Sequence, residues 1–154
     1  MLKEKMSDIT IRRAELADLD IILNLLAKQF EEHGIDLTPD DLEGAVKAEF
    51  GRDGLGFFMI ASKEDLVIGF AAVSYAWTLE HGGKSAWLDE LYVLPEQRSS
   101  GVGSLLVDGV LEELKPMGCL AIDLEVEVDH SRAEHLYTRK GFEQLQRSRW
   151  VKKL

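Results

Sequence analysis

The sequence predicts a single α/β domain built on a mixed sheet, and three observations support this fold class. Apolar residues recur at helical spacing in four segments, and other segments carry the apolar runs or alternation of strands. Helical and strand segments are interspersed along the chain, without a repeat, linker or low-complexity stretch between them. The chain has 154 residues, 45% hydrophobic and 30% charged, which suits one core, so we expect one domain over residues 1–154.

The N-terminal half is predicted to form a strand, two helices and a strand hairpin. The first helix carries its apolar side chains on one stripe. The second begins at Thr38, whose hydroxyl suits an N-cap, with Pro39 in the first turn. A turn at Glu64 and Asp65 joins the two strands of the hairpin. The predicted ranges are a strand over Ile9–Arg13, a helix over about Leu16–His33, a helix from Thr38 onward, and strands over Phe57–Lys63 and Leu66–Trp77.

The C-terminal half is predicted to alternate strands and helices and to close with a hairpin. Gly82 and Gly83 indicate a mobile loop, Pro116 stops a helix, and Gly141 ends the last helix. Apolar and acidic residues alternate in the segment before that helix, which is typical of a half-buried strand. The predicted ranges are a loop over Thr78–Lys84, strands over Ala86–Val93 and Leu120–Val128, a helix over about Ser100–Lys115, and a terminal hairpin of Phe142–Gln146 with Arg149–Leu154.

The motif Arg98-x-x-Gly101-x-Gly103 lies between a predicted strand and a predicted helix. Glycines allow a ligand to approach the backbone, and a helix N-terminus offers unpaired N–H groups that suit phosphate. An arginine can grip a phosphate with two hydrogen bonds. The motif therefore predicts a diphosphate site. A P-loop would require Lys after the last glycine, where Ser104 stands, and a dinucleotide fingerprint would require a third glycine where Leu106 stands.

This segment resembles motif A of the GNAT N-acetyltransferases, in which the loop and helix start bind the pyrophosphate of acetyl-coenzyme A. A second segment, 129–142, resembles motif B of the same family, with matches at Ala133, Leu136, Tyr137, Gly141 and Phe142. The two motifs have the family's order and spacing, and the flanking elements follow it too. The sequence is therefore identified as a member of the GNAT family over essentially its whole length.

The resemblance implies a mostly antiparallel, twisted sheet that splays at the cofactor site and is flanked by four helices. The pantetheine arm would pair with the free edge of the motif A strand, at the positions of Leu91 and Val93. The family's motif B asparagine is replaced by His130, which either substitutes through a ring nitrogen or loses the contact. The implied coenzyme site comprises Leu91, Tyr92, Val93, Arg98, Ser99, Ser100, Gly101, Val102, Gly103, Ser104, His130 and Ala133.

Acetyl transfer to an amine requires a base for the ammonium proton and gains from an acid for the leaving thiolate. By resemblance, Tyr137 is that acid; the alternative is a packed aromatic ring. Asp89 and Glu90 resemble the acidic pair of spermidine/spermine-type acetyltransferases, where a strand bulge aims both at the cleft. Asp89 would act as the base, directly or through water, and Glu90 would help bind a cationic amine. Alternatively, both are simply solvated side chains at a strand end. Glu125 and Glu127, on the polar face of the neighbouring strand, are weaker candidates for the base.

The net charge of −10 argues against nucleic acid as a partner and is compatible with a cationic substrate, or simply with solubility. No apolar run is long enough to cross a membrane, and the N-terminus lacks an apolar signal region, so we expect a cytoplasmic protein. Cys119, the single cysteine, is expected to be a packed thiol rather than a nucleophile. The histidines have no metal-ligand spacing, so no metal is expected.

The sequence thus predicts acetylation, with acetyl-coenzyme A, of a primary amine on a small, cationic, polyamine-like acceptor. Acetylation of an aminoglycoside or a protein N-terminus is a close alternative. An alternative of another class is a sensor module that binds acetyl-coenzyme A without catalysis, to which only the departure at His130 points. A homodimer is also expected, because family members often pair through terminal strands and the terminal hairpin carries Trp150 and Val151.

Overall fold

A five-stranded sheet forms the centre of the computed structural model, which describes residues 8–50 and 54–154. The strands lie side by side in chain order. The first four pair antiparallel, and the last pairs parallel to the fourth. The strands are β1 (Ile9–Arg13), β2 (Gly56–Lys63), β3 (Leu66–Thr78), β4 (Gly83–Val93) and β5 (Ile122–Leu124).

The structure has the four predicted helices: α1 (Leu19–His33), α2 (Pro39–Glu49), α3 (Val102–Leu114) and α4 (Ser131–Arg139). The predicted first helix is divided, because Leu16–Asp18 forms a 3-10 turn before α1. The Thr38 cap is confirmed: its hydroxyl accepts a hydrogen bond of 3.2 Å from the backbone N–H of Asp41. Gly141 follows α4 with a φ of +87°, a left-handed conformation that favours glycine.

The helices cover both faces of the sheet. Phe58 stacks on Phe50, at the end of α2, with ring centroids 5.3 Å apart. Its neighbour Met59 contacts α3 on the opposite face, since adjacent strand residues point to opposite sides. There α3 packs so closely that a Cβ on Gly109 would lie 2.6 Å from Ile11 Cγ2. The side chains at the centre of the core are fully buried, among them Ile22, Leu25, Ile60, Ile68, Phe70, Val73, Leu106 and Val110.

Strand β5 is much shorter than the predicted strand over Leu120–Val128. It pairs with β4 only from Ala86↔Ile122 to Leu88↔Leu124, and the chain then leaves the sheet. Strand β4 continues to Val93 without a partner on that side within residues 8–50 and 54–154. The splayed sheet implied by the resemblance is therefore present, and it leaves an open strand edge.

The predicted terminal hairpin is wrong. Residues 140–154 contain no strand. Because β5 has only three paired residues, it offers too short an edge to template another strand. The segment instead makes two exposed ion pairs with the rest of the chain: Arg147 contacts Glu80 at 2.8 Å, and Arg149 contacts Glu125 at 2.7 Å.

Candidate active site

The open edge of β4 presents backbone groups at the two positions expected to bind the pantetheine arm. The N–H of Leu94 donates to Ile68 on the β3 side, at 2.9 Å. Backbone direction alternates along a strand, so Tyr92 also faces β3, whereas Leu91 and Val93 face the open edge. Their side chains lie on the α3 face, and the Tyr92 ring lies on the α1 face, where it packs against Phe70. Only the backbone of Tyr92 is therefore near the expected coenzyme site.

The N-terminus of α3 faces this edge as an anion-binding surface. Gly101 is the N-cap residue, with a φ of +89°, and no side chain caps the helix. The N–H of Leu105 makes the first helical bond, to the Gly101 carbonyl at 3.1 Å. The amides of Val102, Gly103 and Ser104 thus have no intrahelical acceptor. These three residues belong to the coenzyme site that the resemblance implies. These amides and the helix dipole favour a phosphate group.

The loop before α3 is tied to α4 by a cation that sequence reasoning did not identify. Arg132, in the first turn of α4, donates to the Ser99 hydroxyl. Ser99 has a φ of +65°, which turns the loop, and the Ser100 hydroxyl closes it by donating to the Gln97 carbonyl at 2.5 Å. Arg132 is exposed and lies beside the loop that is expected to bind pyrophosphate. Its position within motif B in the sequence gave no sign of this contact.

Arg98, which the motif predicts to bind a phosphate, makes contacts within the protein instead. Its Nε donates to the Val93 carbonyl at 2.8 Å, and its Nη2 donates to the Glu32 carboxylate at 2.8 Å. The guanidinium lies 5.4 Å from the Tyr92 ring centre, and Tyr92 also donates to Glu32, at 2.8 Å. The hydrogen bond from Arg98 is the main reason why the pKa of Glu32 is lowered. Arg98 therefore joins the end of β4 to α1 rather than standing ready for a phosphate.

His130 takes over a capping role for which asparagine is well suited. It is the N-cap residue of α4, and its Nδ1 accepts a hydrogen bond of 3.2 Å from the N–H of Ala133. Accepting at Nδ1 requires the neutral tautomer with its proton on Nε2. The side chain is exposed, so Nε2–H is available to donate. The helix cap is kept, and a coenzyme contact by His130 stays a prediction.

Tyr137 is both a packed ring and an available phenol. Its ring meets Phe142 edge-on, with centroids 5.6 Å apart, and the residue is only 9% exposed. Burial raises the pKa of Tyr137 to about 12. Within the described part of the chain, its hydroxyl has no hydrogen-bond partner. Tyr137 lies next to Leu136, which reaches the start of α3: a Cβ on Gly103 would be 3.7 Å from Leu136 Cδ2.

The expected bulge in β4 is present and is formed by Asp89. Glu90 pairs with Ala72 and Leu88 pairs with Val73, so Asp89 is the extra residue. Its carboxylate accepts a hydrogen bond from Ser74, which lies on the same face of β3 as Ala72. Both acidic side chains therefore lie on the α1 and α2 face of the sheet.

Each carboxylate of this pair has a neutral neighbour as its hydrogen-bond donor. Glu90 accepts a 2.6 Å bond from Nε2 of Gln29, which is buried on α1. Burial raises the pKa of Glu90 and of Asp89, although the hydrogen bonds from Gln29 and Ser74 act in the opposite direction. Such carboxylates are stronger bases than ordinary ones and attract a cation that would replace their lost hydration.

A third carboxylate, Glu49, joins this group from the end of α2. Burial, and then the charge of Asp89, raises the pKa of Glu49 to about 7. Its Oε2 is buried without a hydrogen-bond partner within residues 8–50 and 54–154. No sequence pattern marked Glu49, because it ends a helix that is distant in sequence from Asp89.

We expect Glu49→Gln to stabilise the protein at pH 8.5 by about 1–3 kcal/mol, and much less at pH 5. The folded pKa is above the unfolded value, so ionised Glu49 destabilises the fold as pH rises from about 4.5 to about 7. Urea denaturation at both pH values measures the difference. Glu43→Gln, at a half-exposed position of the same helix where Glu43 pairs with Lys47, is the control. Equal effects of Glu49→Gln at the two pH values would contradict this expectation.

The other polar candidates lie outside this group. His33 Nδ1 is 4.0 Å from Glu127, and His81 Nε2 forms a 2.7 Å contact with Asp123. Cys119 is half-buried and packs against the core, which agrees with the prediction of a packed thiol. Among the residues that the structure describes, no cluster of metal-ligating side chains occurs, and no helix is long and apolar enough to cross a bilayer.

Comparison with known proteins decides the family. Residues 19–142 match the family described as the acetyltransferase (GNAT) family. The chain belongs to this family. The prediction of an acetyl-coenzyme A-dependent acetyltransferase is thereby confirmed at the level of the family.

Individual relatives extend this result. A mycothiol acetyltransferase of Actinosynnema mirum is 32% identical over 138 residues, covering 86% of this chain, which spans 42% of that protein's length. The thialysine N-epsilon-acetyltransferase of Mus musculus is 25% identical over 93% of this chain and 89% of its own length. The structure of an aminoglycoside N-acetyltransferase in complex with CoA has a TM-score of 0.79 at 20% identity, covering 94% of each chain. This last likeness confirms the predicted fold.

Proposed function

We propose that this protein transfers the acetyl group of acetyl-coenzyme A to a primary amine of a small cationic acceptor. The observation that supports this most directly is the group of three carboxylates on one face of the β4 bulge: Asp89, Glu90 and Glu49. Burial raises the pKa of all three carboxyl groups. A bound ammonium group would supply the positive charge that stabilises their ionised forms. The names of the two relatives, a thialysine N-epsilon-acetyltransferase and a mycothiol acetyltransferase, agree with acetyl transfer involving small molecules.

The coenzyme would lie along the open edge of β4. Leu91 and the N–H of Val93, whose carbonyl accepts from Arg98, offer backbone groups to the pantetheine arm. The amides of residues 102–104 receive the pyrophosphate. The exposed Nε2–H of His130 is a donor for the arm, and Arg132 supplies the positive charge beside the loop. The Arg98 guanidinium is held by Glu32, so the phosphate contact that its motif predicts would require this ion pair to open.

The chemistry would proceed by direct attack. Asp89 takes a proton from the acceptor's ammonium group, directly or through a water molecule, and so frees the nitrogen lone pair. The amine attacks the thioester carbonyl, and the nitrogen of the tetrahedral intermediate releases its remaining extra proton to solvent. The intermediate then expels the thiolate as its C–S bond breaks. Tyr137 donates its phenolic proton to that sulfur and regains one from solvent. The amide product and coenzyme A result.

The proposed pyrophosphate site is tested by placing a side chain on its glycines. Gly103→Val should weaken acetyl-coenzyme A binding about tenfold or more, because a branched side chain in the first turn obstructs the exposed amides. A Cβ there meets only ordinary contacts, at 3.7 and 3.9 Å, so the fold should persist. Titration calorimetry measures the affinity.

Gly101→Val should also weaken coenzyme binding, but it strains the backbone at its φ of +89° and is therefore the less clean variant. Gly44→Ala, in open space on α2, is the control and should change nothing. Unchanged coenzyme affinity in a folded Gly103→Val variant would disprove the site.

The acceptor is tested by thiol release with a panel of diamines, an aminoglycoside and a peptide with a free N-terminus. We expect the diamines to give the highest kcat/KM. Turnover with the aminoglycoside or peptide alone would favour those alternatives. Coenzyme binding without turnover on any amine would favour the sensor module.

We also propose a cytoplasmic homodimer. The single cysteine is unpaired, which suits a reducing compartment. The C-terminal segment leaves Trp150 90% and Val151 82% exposed, and these apolar side chains gain most by meeting a second copy. We expect sedimentation velocity to give a dimer at micromolar concentration. A monomer at all concentrations would refute this expectation.

A further inference from the structure

The C-terminal segment places a guanidinium group beside the proposed base. Arg149 Nη1 lies 2.7 Å from Glu125 Oε2, and its Cζ is 5.8 Å from the centre of the Trp87 ring. The positive charge of Arg149 is also close enough to Asp89 to lower the pKa of that carboxyl. A cation of this chain thus sits at the acidic bulge.

The two groups that hold this cation belong to different strands at the splay. Trp87 precedes the bulge on β4 and pairs with Ser74, whose hydroxyl donates to Asp89. Glu125 directly follows β5, where the chain leaves β4. An aromatic face and a carboxylate that converge on one point are the two groups that bind an alkylammonium best.

We propose that Trp87 and Glu125 form a subsite for a second cationic group of the acceptor, and that Arg149 occupies this subsite when no acceptor is bound. This inference rests on the proposed function. It narrows the acceptor class to diamines and longer polyamines, with one nitrogen at Asp89 and another between Trp87 and Glu125.

The contact of Arg149 is suited to being displaced. The Arg149 and Glu125 side chains are 63% and 41% exposed, and such an ion pair in water contributes little to stability. Residues 140–154 form no strand, so the departure of Arg149 breaks no sheet hydrogen bonds there. A dication that also binds at Asp89 therefore competes successfully for the subsite.

Arg147 provides a matched control on the same segment. It contacts both carboxylate oxygens of Glu80, at 2.8 and 2.9 Å, in the loop between β3 and β4. Arg147 therefore tethers the segment at another place, and removing it keeps Trp87 and Glu125 intact.

The experiment compares butane-1,4-diamine with pentylamine, in which a methyl group replaces the second ammonium. Arg149→Gln should lower the KM for the diamine about two- to fivefold relative to pentylamine, because a competing cation is lost. Glu125→Gln and Trp87→Leu should raise the diamine KM about three- to tenfold and leave that for pentylamine nearly unchanged. Arg147→Gln should leave the ratio of the diamine KM to the pentylamine KM unchanged.

The subsite is supported if Arg149→Gln lowers the KM for the diamine, Glu125→Gln raises it, and neither changes the KM for pentylamine. Equal effects of Glu125→Gln on both amines, or a higher diamine KM in Arg149→Gln, would overturn it while acetyl transfer stands. If the wild type acetylates no amine, the proposed function fails, and calorimetry with butane-1,4-diamine decides the subsite separately. Binding that Glu125→Gln weakens and Arg149→Gln strengthens supports it, and no binding refutes it.

Discussion

Tyr137→Phe is expected to lower kcat about 10²-fold while leaving the affinity for acetyl-coenzyme A unchanged. A positioned acid contributes roughly 10²–10⁴-fold, and a thiolate is a fair leaving group, which favours the lower end. The loss should appear in kcat because the proton is transferred only as the C–S bond breaks. The ring of Phe should keep the edge-on contact with Phe142, so folding is preserved. Steady-state kinetics and coenzyme titration measure the two quantities.

The raised pKa of Tyr137, about 12, gives this prediction a pH signature. Burial disfavours the phenolate, so the acid stays protonated through the whole range in which the protein can be assayed. Loss of the Tyr137 proton should therefore produce no fall in wild-type kcat below about pH 10. A fall of kcat near pH 9 that disappears in Tyr137→Phe would contradict this assignment.

Tyr75 offers a matched control for Tyr137. Its hydroxyl, unlike that of Tyr137, is fully buried without a hydrogen-bond partner among the residues described, and its ring packs against Phe57 on β2. Tyr75→Phe should leave kcat unchanged. If Tyr137→Phe also leaves it unchanged with the true acceptor, Tyr137 is only a packed ring, and the thiolate leaves unaided or has another donor.

Local patterns predicted most of the fold because each depends on neighbours in sequence. The Thr38 cap, the turn at Glu64 and Asp65, and the strand–glycine–helix order of motif A are set within a few residues. The splay and the bulge at Asp89 were available only through the family resemblance, since neither has a signature in one strand.

Long-range pairing accounts for what the sequence did not reveal. Arg98 had an obvious phosphate role in its motif, but Glu32, 66 positions away, takes its guanidinium. Arg132 reaches the motif A loop only because α4 folds back against it. The terminal hairpin failed for a similar reason: its strand pattern was present, but β5 is too short to receive it.

Asp89→Asn should lower kcat/KM for the diamine about 10²–10⁴-fold at pH 7 and recover much of it by pH 10. An alkylammonium with a pKa near ~10.4 is almost fully protonated at pH 7, whereas a large fraction is free amine at pH 10. The base is therefore needed at neutral pH and becomes dispensable as the amine deprotonates. Rates across pH 6–10 with the wild type and the variant measure this recovery.

The fall of activity at low pH also tests whether Asp89 is the base. Burial raises the pKa of Asp89, and Asp89 must be ionised to act, so wild-type activity should fall as pH drops through that raised value. Ser74→Ala removes a hydrogen bond that lowers this pKa, and should move the acidic limb to higher pH. Glu90→Gln should instead raise the KM for a cationic acceptor more than it lowers kcat. If Asp89→Asn depresses the rate equally at pH 7 and pH 10, Asp89 positions the acceptor and another group removes its proton.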